Sequence, residues 1–154
     1  MTPLSRSSRR CRRRAASVKP WRLSLASKID YERAGYAFAI ADTSDRAVGH
    51  IGLFFSAGAR ASVGFWITPS QRRRGYAVEA LGILTSWAKQ HSGLDRLELY
   101  VEPWNSGSWR AAERAGYKRE GLLRAWERID GKPCDMYMYA QLTANASKKQ
   151  DGQA

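Results

Sequence analysis

Cysteine is nearly absent from this chain. The 154 residues hold two, Cys11 and Cys134, far apart and without CxxC spacing. That excludes a disulfide framework and a cysteine-built zinc site, and no metal site is expected. Low cysteine use fits a reducing compartment, so a cytoplasmic protein is the expectation. Long hydrophobic runs are missing as well. None approaches the roughly 18 residues of a helical membrane span, and no membrane partner is expected. Acidic residues are missing from one end only. Residues 1–22 hold Arg6, Arg9, Arg10, Arg12, Arg13, Arg14, Lys19 and Arg22 and no Asp or Glu. The chain carries a net charge of +12, so this stretch supplies most of it, and the remainder of the chain is only mildly basic.

What is present is enough for one domain with its own core. The hydrophobic fraction is 44%, ordinary for a globular protein of this length. Residues 1–20 are Ser- and Arg-rich and aperiodic, which reads as a basic disordered tail. The same composition suits a mitochondrial transit peptide or a displaced start of translation. Residues 21–142 then form the domain, and the polar stretch 143–154 is a second disordered tail.

Within the domain, residues 21–34 (WRLSLASKIDYERA) are expected to make an amphipathic helix that stops at Gly35. Three strands follow, in GYAFAIAD, AVGHIGLFF and RASVGFWIT, the last two a hairpin around Ser56-Ala57-Gly58. The period then changes. Ala77, Ala80, Leu81, Leu84, Trp87 and Ala88 share one helical face. RLELYVE is a strand, and SGSWRAAERAG is a short helix with Asn105 as its N-cap. YKREGLL and CDMYMYAQL are the closing strands. The strand–helix–strand step over 62–101 requires a parallel pair, whereas the hairpin is antiparallel. The fold class expected is therefore mixed α/β (α+β), with a central, mixed, largely antiparallel sheet flanked by helices.

The stretch QRRRGYA, Gln71–Ala77, sits at the turn between a strand and the longer helix. Such a turn presents unpaired backbone N–H groups at the positive end of the helix dipole. Small residues at Gly75 and Ala77 allow an anion close to the backbone, and the arginines add charge. That is a phosphate cradle by construction, although it matches neither a Walker loop nor a GxGxxG fingerprint. By itself, an Arg-rich turn is also an ordinary solvated surface.

The order of motifs resembles the GNAT superfamily of N-acetyltransferases. Arg72-Arg73-Arg74-Gly75-Tyr76-Ala77 resembles that family's pyrophosphate loop. VGFWITPS resembles its central strand. Asn105 with Ser108, then Glu113-Arg114-Ala115-Gly116-Tyr117, resembles its second signature helix, and DMYMYAQL its closing strand. The likeness covers roughly residues 36–142 and is greatest to the branch that acetylates ribosomal-protein N-termini. It implies the GNAT fold, with the parallel strand pair splayed apart, and acetyl-CoA as cosubstrate. The acceptor would be an amine, either a protein N-terminus or a small molecule.

The resemblance also assigns roles. Arg72, Arg73, Arg74, Gly75, Tyr76 and Ala77 would hold the pyrophosphate. Phe65, Trp66 and Ile67 would offer backbone to the pantetheine arm and to the thioester oxygen. Asn105 and Ser108 would contact the cofactor arm. The tyrosine that protonates the leaving thiolate in many members is replaced by Ala112. In the ribosomal-protein branch a serine at the place of Ser108 works with a glutamate nineteen residues later, here Glu127. Glu127 is then the expected general base and Ser108 its partner. Each has a plainer reading: Asn105 as a cap only, Ser108 as a first-turn hydrogen bonder, Glu127 as a surface ion-pair partner. Trp66, Trp104, Trp109 and Trp126 are expected to divide between core and pocket wall.

One departure stands out. Family members begin with a strand and two helices ahead of the strand at 36–41, and this sequence shows room for one helix only. The expectation is an unpaired sheet edge. A misplaced start, a truncated and inactive CoA-binding copy, or a partner covering the gap as in a homodimer would each account for it. A basic nucleic-acid-binding module is the competing function, carried by the N-terminal tail rather than by the fold.

Overall fold

A computed structural model describes residues 21–24, 35–91 and 93–143. Their elements are β1 (Trp21–Ser24), β2 (Gly35–Asp42), β3 (Ala47–Ser56), β4 (Arg60–Ile67), α1 (Tyr76–His91), β5 (Arg96–Val101), α2 (Ser106–Arg114), β6 (Lys118–Ile129) and β7 (Lys132–Leu142). A single 3-10 turn, Pro69–Gln71, precedes α1. The strands form one sheet in the order β1-β2-β3-β4-β5-β7-β6. Only β4 and β5 are parallel; every other neighbour is antiparallel. This is the mixed, largely antiparallel sheet expected.

The turns follow local chemistry. Asp42 closes the β2–β3 turn by accepting the Ser44 and Arg46 N–H groups on Oδ1, at 2.9 and 3.1 Å. The β6–β7 hairpin turns on Asp130 and Gly131, both at positive φ (50° and 75°), as a two-residue hairpin loop requires.

One face of the sheet carries both helices. Ala80, Leu81, Leu84 and Ala88 of α1 share a buried cluster with Ala111 and Ala112 of α2 and with Ile40, Ile51, Leu53, Leu97 and Leu99 of the sheet. This is the helical face read from the sequence. The two helical regions are tied by a buried hydrogen bond of 2.7 Å between Thr85 Oγ1 and the Tyr117 hydroxyl. On the opposite face stand His50, Gly52, Phe54, Gly64 and Trp66, in the alternate positions of β3 and β4. A Cβ at Gly52 would lie 2.7 Å from the Phe54 ring, so glycine there is what lets that ring lie flat on the sheet.

Three expectations change. Trp21–Ser24 is not helical. It is a strand paired antiparallel to Asp42–Ala39 of β2, so the edge expected to be bare carries a neighbour. Trp21 and Leu23 alternate as in a strand, but four residues cannot set one period against another, and pairing to β2 decides. The rest of the expected helix, 25–34, lies outside the described residues, as do 1–20 and 144–154; Thr143, expected to open the C-terminal tail, is instead buried, with its N–H bonded to Asp95 O at 2.9 Å. Finally, the closing hairpin is longer than read: β6 runs past Leu123 to Ile129, which places Trp126 and Glu127 in a strand.

Leu81 is fully buried and Ile83, on the same helix, is 39% exposed. Leu81→Ala is expected to destabilise by about 2–5 kcal/mol, through lost burial plus a cavity. Ile83→Ala should stay within about 1 kcal/mol. Thermal or urea unfolding of the two variants checks the assignment of faces.

Candidate active site

The site begins where β4 and β5 stop pairing. Their ladder consists of Arg60↔Arg96, Ala61↔Leu97 and Ser62↔Glu98, yet β4 continues to Ile67 and β5 to Val101. Beyond Ser62 the strands diverge and leave a V-shaped gap. Backbone alternation says which groups face it. The Thr68 N–H donates to Val48 O at 2.9 Å, so even-numbered residues of β4 bond to β3. Odd-numbered residues turn the other way: Ala59 O accepts the Asp95 N–H at 2.8 Å, and Ala61 lies in the β5 ladder. Phe65 and Ile67 therefore present their N–H and C=O groups to the gap, as Val63 does its C=O, the Val63 N–H being the last donor of the ladder. Trp66 points its backbone at β3, which narrows the expected donors from three to Phe65 and Ile67. On the other wall, the Thr143 N–H bonds to Asp95 O at 2.9 Å, so odd β5 residues pair with β7 and Tyr100 faces the gap.

The gap opens into a cavity of about 210 Å3 whose walls include Phe65, Tyr100, Asn105, Ser108, Glu127 and Met136. Asn105, Ser108 and Glu127 come together although they arrive from a helix start and a distant hairpin. Asn105 caps α2: its Oδ1 accepts the Ser108 N–H at 3.2 Å. The capping reading therefore holds for the oxygen, and Nδ2 is the atom left for a ligand. Ser108 is half-buried in the first turn, and Glu127 is exposed on β6. Ala112 is fully buried in the core, so no donor group stands at that position.

Sequence reasoning missed Tyr100, which lines the cavity, and Glu98, which holds it. Tyr100 donates its hydroxyl to Glu98 Oε2 at 2.8 Å and stacks on Trp126, with ring centroids 5.4 Å apart. Glu98 is buried and also meets Arg96 Nε at 2.6 Å and Arg60 at 3.7 Å. The signal was available: in RLELYVE, the residues between Leu97, Leu99 and Val101 must face away from the core. Of the four tryptophans expected to divide between core and pocket wall, Trp109 packs against the core, whereas Trp66, Trp104 and Trp126 are 58, 75 and 55% exposed.

The Arg-rich turn has a defined shape. Arg72 is extended, and its Nε donates back to Ile67 O at 3.0 Å. Arg73 (φ 63°) and Gly75 (φ 87°) are left-handed. Helical bonding begins with the Glu79 N–H to Gly75 O at 3.1 Å, so the N–H groups of Ala77 and Val78 have no intrahelical partner. Arg72, Arg73 and Arg74 are exposed. The Tyr76 ring is buried among core residues.

The Acetyltransferase (GNAT) domain family matches residues 3–118. This chain belongs to the GNAT acetyltransferase family. It is 30% identical over 123 residues to the uncharacterised N-acetyltransferase p20 of Bacillus licheniformis, covering 78% of this chain and 69% of that protein. Among solved structures it superposes on the ribosomal-protein-S5-alanine acetyltransferase of Vibrio fischeri with a TM-score of 0.67 at 16% identity, covering 72% of this chain and 63% of that one. Mycobacterium smegmatis RimJ, solved in complex with CoA-disulfide, gives 0.68 at 20% identity, over 88% of this chain and 77% of RimJ. The chain thus spans roughly two thirds to three quarters of the length of these proteins. The GNAT fold read from the motifs is the fold observed. No helix among the described residues is long and apolar enough to cross a membrane.

The phenol beside the gap has a pH consequence. Burial, then the hydrogen bond to Glu98, pushes Tyr100 up to about 12. Burial likewise raises Tyr117 to about 12, and burial with the Glu113 hydrogen bond raises Tyr139 to about 12. These groups keep protons that the unfolded chain releases near pH 10. The stability they contribute is complete below pH 10 and is lost as pH rises toward 12. Spectrophotometric titration should show three late-ionising tyrosines in the native protein, and Tyr100→Phe should remove one.

Proposed function

We propose that this domain moves an acetyl group from acetyl-CoA to a primary amine, with a protein N-terminal amino group as the favoured acceptor. The observation that carries this reading is the convergence of Asn105, Ser108 and Glu127 on one cavity, at the mouth of a gap lined by unpaired backbone. The residues present fit the cofactor. The N–H groups opening α1, with Arg73 and Arg74 beside them, suit a pyrophosphate. The free edges of β4 and β5 suit the amides of a pantetheine arm. When bound, acetyl-CoA supplies an activated acyl thioester.

The protein's part is positioning and proton handling. Glu127 accepts the proton from the amine, directly or through water, as attack proceeds. The Phe65 N–H, or that of Ile67, donates to the oxygen on which negative charge develops. Ser108 orients the water beside Glu127 or donates its hydroxyl proton to the departing sulfur. The ribosomal-protein acetyltransferase of Vibrio fischeri, by its name, acts on an alanine, and a peptide with an N-terminal alanine is the first acceptor to assay.

Two outcomes are expected. Acetyl-CoA at a hundred times its Kd should stabilise the fold by about 2.7 kcal/mol, raising the unfolding midpoint by roughly 5–10 °C. No rise in a cooperative transition would refute the cofactor site. Glu127→Gln should leave that rise intact and lower turnover by about 10²–10⁴-fold. Unchanged turnover would remove Glu127 from the mechanism.

A further inference from the structure

The register of β6 against β7 jumps between Leu123 and Glu127. Leu123 stands opposite Met136, and Glu127 stands opposite Cys134. Three residues, Arg124, Ala125 and Trp126, thus face a single one, Asp135. An unbroken ladder continuing from Leu123 would place Glu127 opposite Lys132, at the tip of the hairpin. The two extra residues draw Glu127 back along the strand by about 7 Å, to the rung beside the cavity-lining Met136. Ala125 would otherwise occupy that rung.

The bulge is held at two points. Asp135 Oδ1 accepts the Ala125 N–H at 2.8 Å, which satisfies a donor the broken ladder leaves over. Ala125 takes a left-handed φ of 49°, a conformation that a non-glycine residue holds only where its surroundings enforce it. Trp126 lies on Tyr100 with its ring 22° from parallel, and Tyr100 is itself anchored on buried Glu98. One fastening sits before Glu127 on the bulge and one on its immediate neighbour. Bulges of this kind re-aim side chains beside functional sites.

We propose that the β6 bulge, fastened by Asp135 and by the Trp126–Tyr100 stack, is the device that carries Glu127 into the cavity, with Asp135 and Trp126 as positioning residues. The proposal rests on the reading of Glu127 as a group beside the acyl carbon. It differs from that reading in assigning the placement to residues other than the proposed base and its serine partner.

The test needs no acceptor. Glu127→Cys is made in a Cys11→Ser, Cys134→Ser background and exposed to bromoacetyl-CoA. The introduced thiolate displaces bromide and forms a thioether if position 127 reaches the acyl group, and acetyl-CoA should compete. Adding Asp135→Ala or Trp126→Ala is expected to slow this saturable alkylation at least tenfold, while the thermal shift given by acetyl-CoA stays within a degree or two. Asp135→Asn keeps an acceptor oxygen and should restore the rate to within about threefold. Saturable alkylation that neither alanine variant slows would overturn the positioning role and leave Glu127 in place. Absence of saturable alkylation, in protein that acetyl-CoA still stabilises, would overturn the placement of residue 127 and the positioning role together. Loss of the thermal shift in the alanine variants would show a general structural effect and overturn the proposal as well.

Discussion

At Ser62 and Glu98 two parallel strands cease to bond, and each keeps going. Unpaired backbone in a sheet interior costs free energy, so the closed end of the gap has to be firm. Glu98 supplies that firmness. Its side chain is 3% exposed and stands between Arg96 at 2.6 Å and Arg60 at 3.7 Å. Arg96 also pairs with Glu120 of β6. The cluster therefore ties β4, β5 and β6 together at the end where the ladder is intact. A buried carboxylate without such partners would be costly, and removing one partner typically costs about 3–5 kcal/mol. Glu120 is held below its usual range chiefly by its hydrogen bond from Arg96, and Arg96 is raised chiefly by its hydrogen bond to Glu120. Glu120 is partly exposed, so solvent screens its share.

With one end clamped, the gap becomes a passage between the two faces of the sheet. Both helices lie on one face, and their N-terminal ends deliver the Arg-rich turn and the Asn105–Ser108 pair. The other face carries Tyr100 and Trp126, and the β6–β7 hairpin brings Glu127 to the cavity. Under the proposed activity the acyl donor enters from the helix side and the amine from the aromatic side. The sheet keeps the two reactants apart until they meet between β4 and β5, and each side is furnished by different elements. The same separation explains why Glu98 matters twice: it closes the gap and, through Tyr100, supports the platform under Trp126.

Strong periodicity was legible. The face of α1 could be read from Ala80, Leu81, Leu84 and Ala88, and the parallel pair from one helix lying between two strands. The family could be read from motif order. Less legible was anything settled by pairing rather than by local pattern. Trp21–Ser24 is too short to declare a period, and only β2 makes it a strand. The length of the closing hairpin had a signal that went unused: Asp130-Gly131 is a strong two-residue turn pair, and it implies strands running up to it from both sides. The bulge had none. Nothing in Arg124-Ala125-Trp126 announces two extra residues, because their fastening, Asp135, lies on the partner strand. Counting nineteen residues from Ser108 reached Glu127 by likeness. The register shows how that residue comes to line the cavity.

The three arginines of QRRRGYA then divide by backbone rather than by charge. Arg72 turns its Nε inward to Ile67 O, the last carbonyl of β4 on the gap side. That bond occupies an acceptor which would otherwise repel the pyrophosphate proposed for this turn, and it fixes the corner where strand becomes helix. Arg73 holds a left-handed φ that glycine would hold with less strain, so its side chain justifies its place only if it does something at the surface. Arg74 precedes Gly75, whose own left-handed φ turns the chain into α1. Substitutions along the run should therefore not be equivalent. Arg73→Gly relaxes the backbone and removes one charge, so it should weaken acetyl-CoA binding without lowering stability. Arg72→Ala frees Ile67 O and loosens the corner, so it should lower both. Comparing unfolding midpoints with and without acetyl-CoA for the two variants separates charge from shape. Equal losses of stability would mean that the corner is held by something other than the Arg72 bond.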